Sequence, residues 1–159
     1  MIHPRIAIGA LSISAGVLVG IAQHEGYVEV AAPPVPGDVD TNGFGSTKSP
    51  DGSPIKRGDK TDPVRALVRL YADADKYSQA VRRCAPVPMH QYEFDAFTSL
   101  AYNIGPGAFC SSTLAKMLNR LEYAGACEQI KRWDKFKGRT LRGLAIRREA
   151  EYKLCKGAA

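Results

Sequence analysis

Seventeen consecutive residues near the start of the chain, Ile6 to Ala22, carry no charge. Arg5 precedes this run and Glu25 follows it. As a helix the run would be about 25 Å long, near the lower limit for crossing a bilayer. About half of it is Gly, Ala or Ser, which add little burial energy, so insertion would be marginal. Three readings are open: a signal peptide cleaved at the small-x-small site Gly20-Ile21-Ala22, a buried core helix, and a weak uncleaved anchor. The core helix explains the length but not the position behind a positive flank; an anchor fits both. With Arg5 on the cytoplasmic side, the positive-inside rule places the rest of the chain outside. An anchor that later leaves the membrane is an intermediate form.

No second long apolar run exists, which excludes a polytopic membrane protein. The chain has 159 residues, 45% apolar and 24% charged. That suffices for one domain with its own core and excludes wholesale disorder. The formal net charge is +6, spread unevenly. Residues 1–80 carry a net of −1 and residues 81–159 a net of +7. A basic half suits an anionic partner: nucleic acid, a membrane surface or a cell-wall polymer. The same half holds all four cysteines, Cys84, Cys110, Cys127 and Cys155. None forms a Cys-x-x-Cys pair, which argues against a zinc ribbon. In an exported chain an even number points to two disulfides, with three pairings possible.

Residues 28–62 read as turn-rich or short-stranded. Pro33, Pro34 and Pro36 deny helix formation, and Thr41-Asn42-Gly43-Phe44-Gly45-Ser46-Thr47 suits a tight β-hairpin. From Asp62 the pattern turns helical. Asp62 can cap and Pro63 suits a first helical position, with Val64, Leu67, Tyr71 and Ala74 at helical spacing to about Arg83. Cys84-Ala85-Pro86-Val87-Pro88 breaks that helix. A second carries Phe94, Phe97, Ala101 and Ile104 and ends at Gly105-Pro106-Gly107. Ser111 is the expected cap of a third, with Leu114 and Leu118 inside. A fourth carries Ala126, Ile130 and Trp133, and a last one runs from about Leu144 to Leu154. The expected fold is α+β and mainly helical, with a small β-hairpin lobe and a larger helical lobe.

His24-Glu25-Gly26-Tyr27 places a carboxyl group at the end of the apolar segment. A glutamate there, facing a cleft, is the kind of group that general-acid chemistry near neutral pH uses. A facing polar hairpin would supply groups that position a water. The plainer reading is a charged stop after an apolar segment. The Glu-Gly pair followed by a Thr-x-Gly-x-Gly-x-Thr hairpin resembles the phage lysozymes of glycoside hydrolase family 24. Gln91 to Phe97, Ala101 to Leu114 and Leu141 to Glu151 resemble that family's later segments in the same order. The Gly/Ala/Ser-rich N-terminus resembles the signal-arrest-release anchors of some endolysins in the family.

The resemblance implies a lysozyme-like fold and hydrolysis of the β-1,4 bond between N-acetylmuramic acid and N-acetylglucosamine in peptidoglycan. Glu25 matches the family's glutamate, which protonates the leaving oxygen. Thr41 matches its threonine, which helps hold the attacking water. The family's aspartate has no counterpart: Pro34 and Val35 stand at the corresponding positions. Asp38 is the expected substitute, because Pro36-Gly37 lets its backbone turn tightly, with Asp40 the weaker candidate and an Asx-turn the plain role for either. Asn103 and Gly105 lie in the motif that borders the family's cleft and are candidate substrate contacts. The family's topology implies Cys84–Cys155 and Cys110–Cys127.

His24 and Trp133 read as structural, a surface and a core residue. Arg147, Arg148 and Lys153 read as a solvated basic face. The expected organisation is a signal-anchor segment, residues 1–22, ahead of a catalytic domain, residues 23–159. The expected partners are peptidoglycan and, through residues 6–22, the inner membrane before release to the periplasm. No nucleic acid, cofactor or metal is expected, and the protein is expected to be a monomer. The alternatives are a lytic transglycosylase and a non-catalytic, membrane-anchored wall-binding protein.

Overall fold

The charge-free run does not form one continuous helix. In the computed structural model, which describes residues 4–158, Ile6 exchanges two backbone hydrogen bonds of 3.0 Å with Met89. Ile8–Ala10 form a single 3-10 turn, and only Ala15–Glu25 is α-helical (α1). Ser14 explains where α1 starts: its hydroxyl accepts the Val17 amide at 3.2 Å and so caps the helix instead of extending it. Among the described residues no helix is long and apolar enough to cross a membrane. Residues 1–3 of the expected anchor segment, and residue 159, lie outside the described part. In this folded form Leu11, Ile13 and Val17 are buried.

The chain divides into two compact units, whose boundaries fall inside helices. The smaller, Leu18–Asp73, contains the β structure. Strands β1 (Val28–Ala32) and β2 (Thr41–Gly43) pair antiparallel, with Val28 opposite Gly43 and Ala32 opposite Thr41. The other edge of β1 takes the segment around Lys60, where Thr61 donates to the Glu29 carbonyl and Ala31 to the Asp59 carbonyl. The long helix α2 (Pro63–Cys84) starts here, with Pro63 at its first position. Asp62 caps it, accepting the Arg65 amide at 2.9 Å.

The hairpin of the smaller unit sits directly on α2. Gly43 has φ +64°, and a Cβ there would come within 2.9 Å of the Ala66 Cβ and 3.0 Å of the Arg69 Nη2. Gly43→Ala therefore combines a disfavoured backbone conformation with overpacking. It should lower stability by about 1–3 kcal/mol, read as a fall in melting temperature. An unchanged melt would mean that the hairpin is not seated on α2 in this way.

The larger unit comprises the N-terminal segment through Val17 and the chain from Ala74 onward. Its core gathers Phe94, Phe97, Leu100, Phe109, Leu118 and Ile130, all fully buried, with Leu11 from the N-terminal segment among them. Helix α3 (Gln91–Ile104) supplies the first three; Trp133 packs against the same core half-buried. Gly105 ends α3 as expected, but a short helix, α4 (Pro106–Ser111), starts at once behind it. The cap of α5 (Thr113–Asn119) is Ser112, not Ser111: the Ser112 hydroxyl accepts the Ala115 amide at 3.0 Å. Helix α6 (Tyr123–Ile130) continues into a 3-10 turn, Lys131–Trp133. A two-residue-per-strand hairpin follows, β3 (Lys135–Phe136) and β4 (Arg139–Thr140), before α7 (Arg142–Cys155).

Both disulfides lie in this unit, and their pairing corrects the expected one. Cys84 bonds Cys110, and Cys127 bonds Cys155, with Cα–Cα distances of 5.2 and 5.8 Å. Cys155 ends α7, which packs on α6, so its neighbour is Cys127 and not Cys84. The basic face is corrected too: Arg147 and Arg148 are buried against Glu151, and only Lys153 of the three is exposed.

Candidate active site

Glu25 is the last residue of α1 and is exposed. Gly26 stops the helix in the left-handed conformation (φ +71°), its amide donating to the Ala22 carbonyl at 3.0 Å. The chain then turns into β1, whose partner β2 begins at the half-buried Thr41. Asn42 and Ser46 exchange two backbone hydrogen bonds of 3.1 and 3.2 Å, closing a tight loop over Gly43, Phe44 and Gly45. A Cβ placed on Gly45 would lie 3.7 Å from the Glu25 Oε2. The carboxylate thus stands in van der Waals reach of the hairpin's turn, and the structure brings Glu25 together with the Thr41–Thr47 loop.

The hairpin is held from behind by side chains that the sequence did not single out. Asn42 is 2% exposed. Its amide donates to the Asp59 carbonyl at 3.1 Å, and its Oδ1 accepts from the Arg69 Nη2 at 2.7 Å. The same guanidinium nitrogen donates to the Thr61 hydroxyl at 3.0 Å. Tyr27 donates its phenol to the Thr61 carbonyl at 3.0 Å and leans on Phe44, ring centroids 5.6 Å apart. Desolvation, then the nearby Glu29 and Asp62, push the Tyr27 phenol up, so it stays a neutral donor. Arg69 marks the polar side of α2 in sequence. Nothing in its spacing announces that it reaches Asn42.

Asp38 lies in the exposed loop before β2. Its amide donates to the Val35 carbonyl at 3.0 Å across Pro36-Gly37, so the tight turn is present, with Gly37 at φ +88°. Its Oδ1 accepts the Val39 amide at 2.9 Å. Asp40 is half-buried and faces Arg57, Nε to Oδ1 3.4 Å. Asn103 is exposed on the last turn of α3, and Gly105 (φ +88°) caps that helix through its amide to the Ala101 carbonyl. Both belong to the larger unit. His24 is exposed beside Glu25. Among the described residues no group of three or more His, Cys, Asp or Glu could hold a metal.

A carboxyl group within reach of a polar hairpin whose second strand begins at a threonine can serve proton donation and water placement. The phage lysozyme family model matches residues 22–151. The chain belongs to the phage lysozyme family. The match starts at Ala22, just ahead of Glu25, and ends at Glu151, so it takes in the hairpin and the buried charges of α7. An endolysin of Acyrthosiphon pisum secondary endosymbiont phage 1 is 36% identical over 122 residues, 74% of this chain and 80% of the relative. The SAR-endolysin of Enterobacteria phage P21 is 29% identical over 149 residues, 92% of this chain and 88% of the relative. In structure, the chain is similar to the endolysin from Escherichia coli O157:H7 phage FAHEc1. That likeness has a TM-score of 0.85 and 33% identity, and it covers 95% of this chain and 97% of the other. Its lysozyme fold is therefore α+β and mainly helical, with small β-hairpins.

Proposed function

We propose that this phage lysozyme is an endolysin that hydrolyses the β-1,4 bond between N-acetylmuramic acid and N-acetylglucosamine in peptidoglycan, lysing the host cell. The observation that carries the reading is the Glu25 carboxylate standing against the Gly45 turn of the hairpin. Glu25 donates its proton to the glycosidic oxygen as the bond from the anomeric carbon breaks. A water held by the Thr41 hydroxyl attacks that carbon from the opposite face and gives its proton to Asp38. The Val39 amide fixes one oxygen of Asp38, which orients the other. Two carboxyl groups with a water between them are the inverting arrangement. Asn103 and Gly105 contact the glycan.

The experiment compares Asp38→Asn and Asp40→Asn on purified peptidoglycan, with the products analysed by mass spectrometry. Asp38→Asn should slow clearing by about 10²–10⁴-fold with the fold intact, and Asp40→Asn by only a few-fold. Near-normal clearing by Asp38→Asn would remove Asp38 from the mechanism. A reducing-end product fits hydrolysis; a 1,6-anhydro sugar would replace it with a transglycosylase. No clearing by the unaltered protein would leave a wall-binding role.

Residues 6–22 first hold the chain in the inner membrane, with the rest outside the cytoplasm. They leave the bilayer when the membrane potential collapses, releasing the enzyme to the periplasm as a monomer. The weak hydrophobicity of the run and the likeness to the SAR-endolysin of phage P21 support this reading. On release the run folds, burying Leu11, Ile13 and Val17 and placing Glu25 at the end of α1.

A further inference from the structure

The hairpin between α6 and α7 buries nothing: all four of its strand residues are exposed. Phe136 is 59% exposed, an aromatic ring outside every cluster of the core. It pairs across the strands with Arg139, and Lys137 Nζ lies 5.5 Å from its ring centroid. The turn is Lys137-Gly138, both with positive φ (+49° and +77°), the two-residue geometry that joins strands without slack. The turn sets the Lys137 backbone at the tip, with its ammonium near the ring. Behind the strands, the Asp134 carbonyl accepts the Leu141 amide at 2.9 Å, and its carboxylate accepts the Thr140 hydroxyl at 3.3 Å.

The surrounding charge is strongly positive. Residues 131–142 hold six Lys or Arg and a single acid, Asp134, which the hairpin's own base engages. Lys131 and Arg132 are engaged locally, with Glu128 and Gln129. Lys135, Lys137, Arg139 and Arg142 form no ion pair among the described residues and are exposed. Beside them Leu141 is exposed as well. A sugar or a nucleobase would engage the ring by stacking, which gives the exposed aliphatic Leu141 beside it nothing to meet. Cations around a projecting phenylalanine, with an aliphatic side chain next to it, match a surface that is anionic outside and apolar just beneath.

We propose that the Lys135–Thr140 hairpin is a docking element for an anionic phospholipid bilayer, with Phe136 entering the acyl boundary and Lys135, Lys137 and Arg139 lying on the headgroups. It is distinct from the apolar N-terminal run and acts on the folded protein. Such contact would hold a released enzyme at the membrane surface that faces the wall.

The test uses the full chain and sedimentation with vesicles. One set is phosphatidylcholine alone and the other contains roughly 30% phosphatidylglycerol. Binding to neutral vesicles reports whatever the N-terminal run contributes. Lys135→Glu/Lys137→Glu/Arg139→Glu should weaken binding to the anionic vesicles at least about tenfold, and Phe136→Ser alone several-fold, with neutral-vesicle binding unchanged. Clearing of membrane-free peptidoglycan should stay within about twofold for both variants, as for surface substitutions away from a site. Equal binding of the unaltered protein to neutral and anionic vesicles would overturn the proposal. So would unchanged binding by Phe136→Ser. A loss of binding to purified peptidoglycan, in place of vesicles, would reassign the hairpin to the wall polymer and equally overturn it.

Discussion

Glu25→Gln should abolish clearing of a purified peptidoglycan suspension, slowing it by about 10²–10⁴-fold at least, while the melting curve stays within about 0.5 kcal/mol of the unaltered protein. The two halves of that expectation have separate causes. Glutamine keeps the shape and polarity of the side chain beside the Gly45 turn but has no proton to give the leaving oxygen. Glu25 is also exposed at the end of its helix, where glutamine keeps its size and its capacity to hydrogen-bond. Glu29 serves as the control. It is an exposed carboxylate on β1, in the same unit and only four residues away. Glu29→Gln should clear walls at nearly the normal rate. If Glu25→Gln also retained a normal rate, the proton would have to come from another group and the site would be misplaced. If instead it lost activity together with several kcal/mol of stability, Glu25 would be a structural residue.

The helices were readable because their punctuation is local. Asp62-Pro63 starts α2 and Gly105 stops α3 through bonds made within one turn of chain. Adjacent serines defeated the same logic at α5. Ser111 and Ser112 are equally able to cap, and the choice rests on where α4 ends. The Glu25–hairpin pairing was readable because both elements carry family-like motifs. The clamp behind it was not, since Arg69, Asn42 and Thr61 meet only once β1, β2 and α2 have assembled. The disulfide pairing failed for the same reason: it depends on which helix ends meet. Phe136 and its turn left only a Lys-Gly pair as a signal, too short to separate from a loop.

Arg147 and Arg148 were misread by counting charge without asking what answers it. Glu151 lies four and three residues on, the spacing at which helical side chains meet. The structure puts all three in the interior. Glu151 is 3% and Arg148 1% exposed. Glu151 Oε1 accepts from the Ser99 hydroxyl at 2.7 Å, the Arg148 Nη2 at 3.1 Å and the Arg147 Nε at 3.3 Å, while Oε2 lies 2.8 Å from the Arg148 Nε. Burial pushes this carboxyl up, and Arg148, Ser99 and Arg147 oppose the push. Burial likewise lowers the Arg148 guanidinium. A group in such a place is tolerated only while its partners remain. Glu151→Ala should therefore cost about 3–5 kcal/mol, because it leaves a guanidinium in the interior with its counter-charge gone. For a domain of this size that is a fall in melting temperature of about 10 °C. Removing the charges together is a different matter: Arg148→Met combined with Glu151→Leu should lose less than the sum of the two single changes, by more than about 1 kcal/mol. Additive losses would mean that the two side chains do not act as a pair. A Glu151→Ala protein melting within a degree or two of the original would mean that α7 does not hold its charges inside at all.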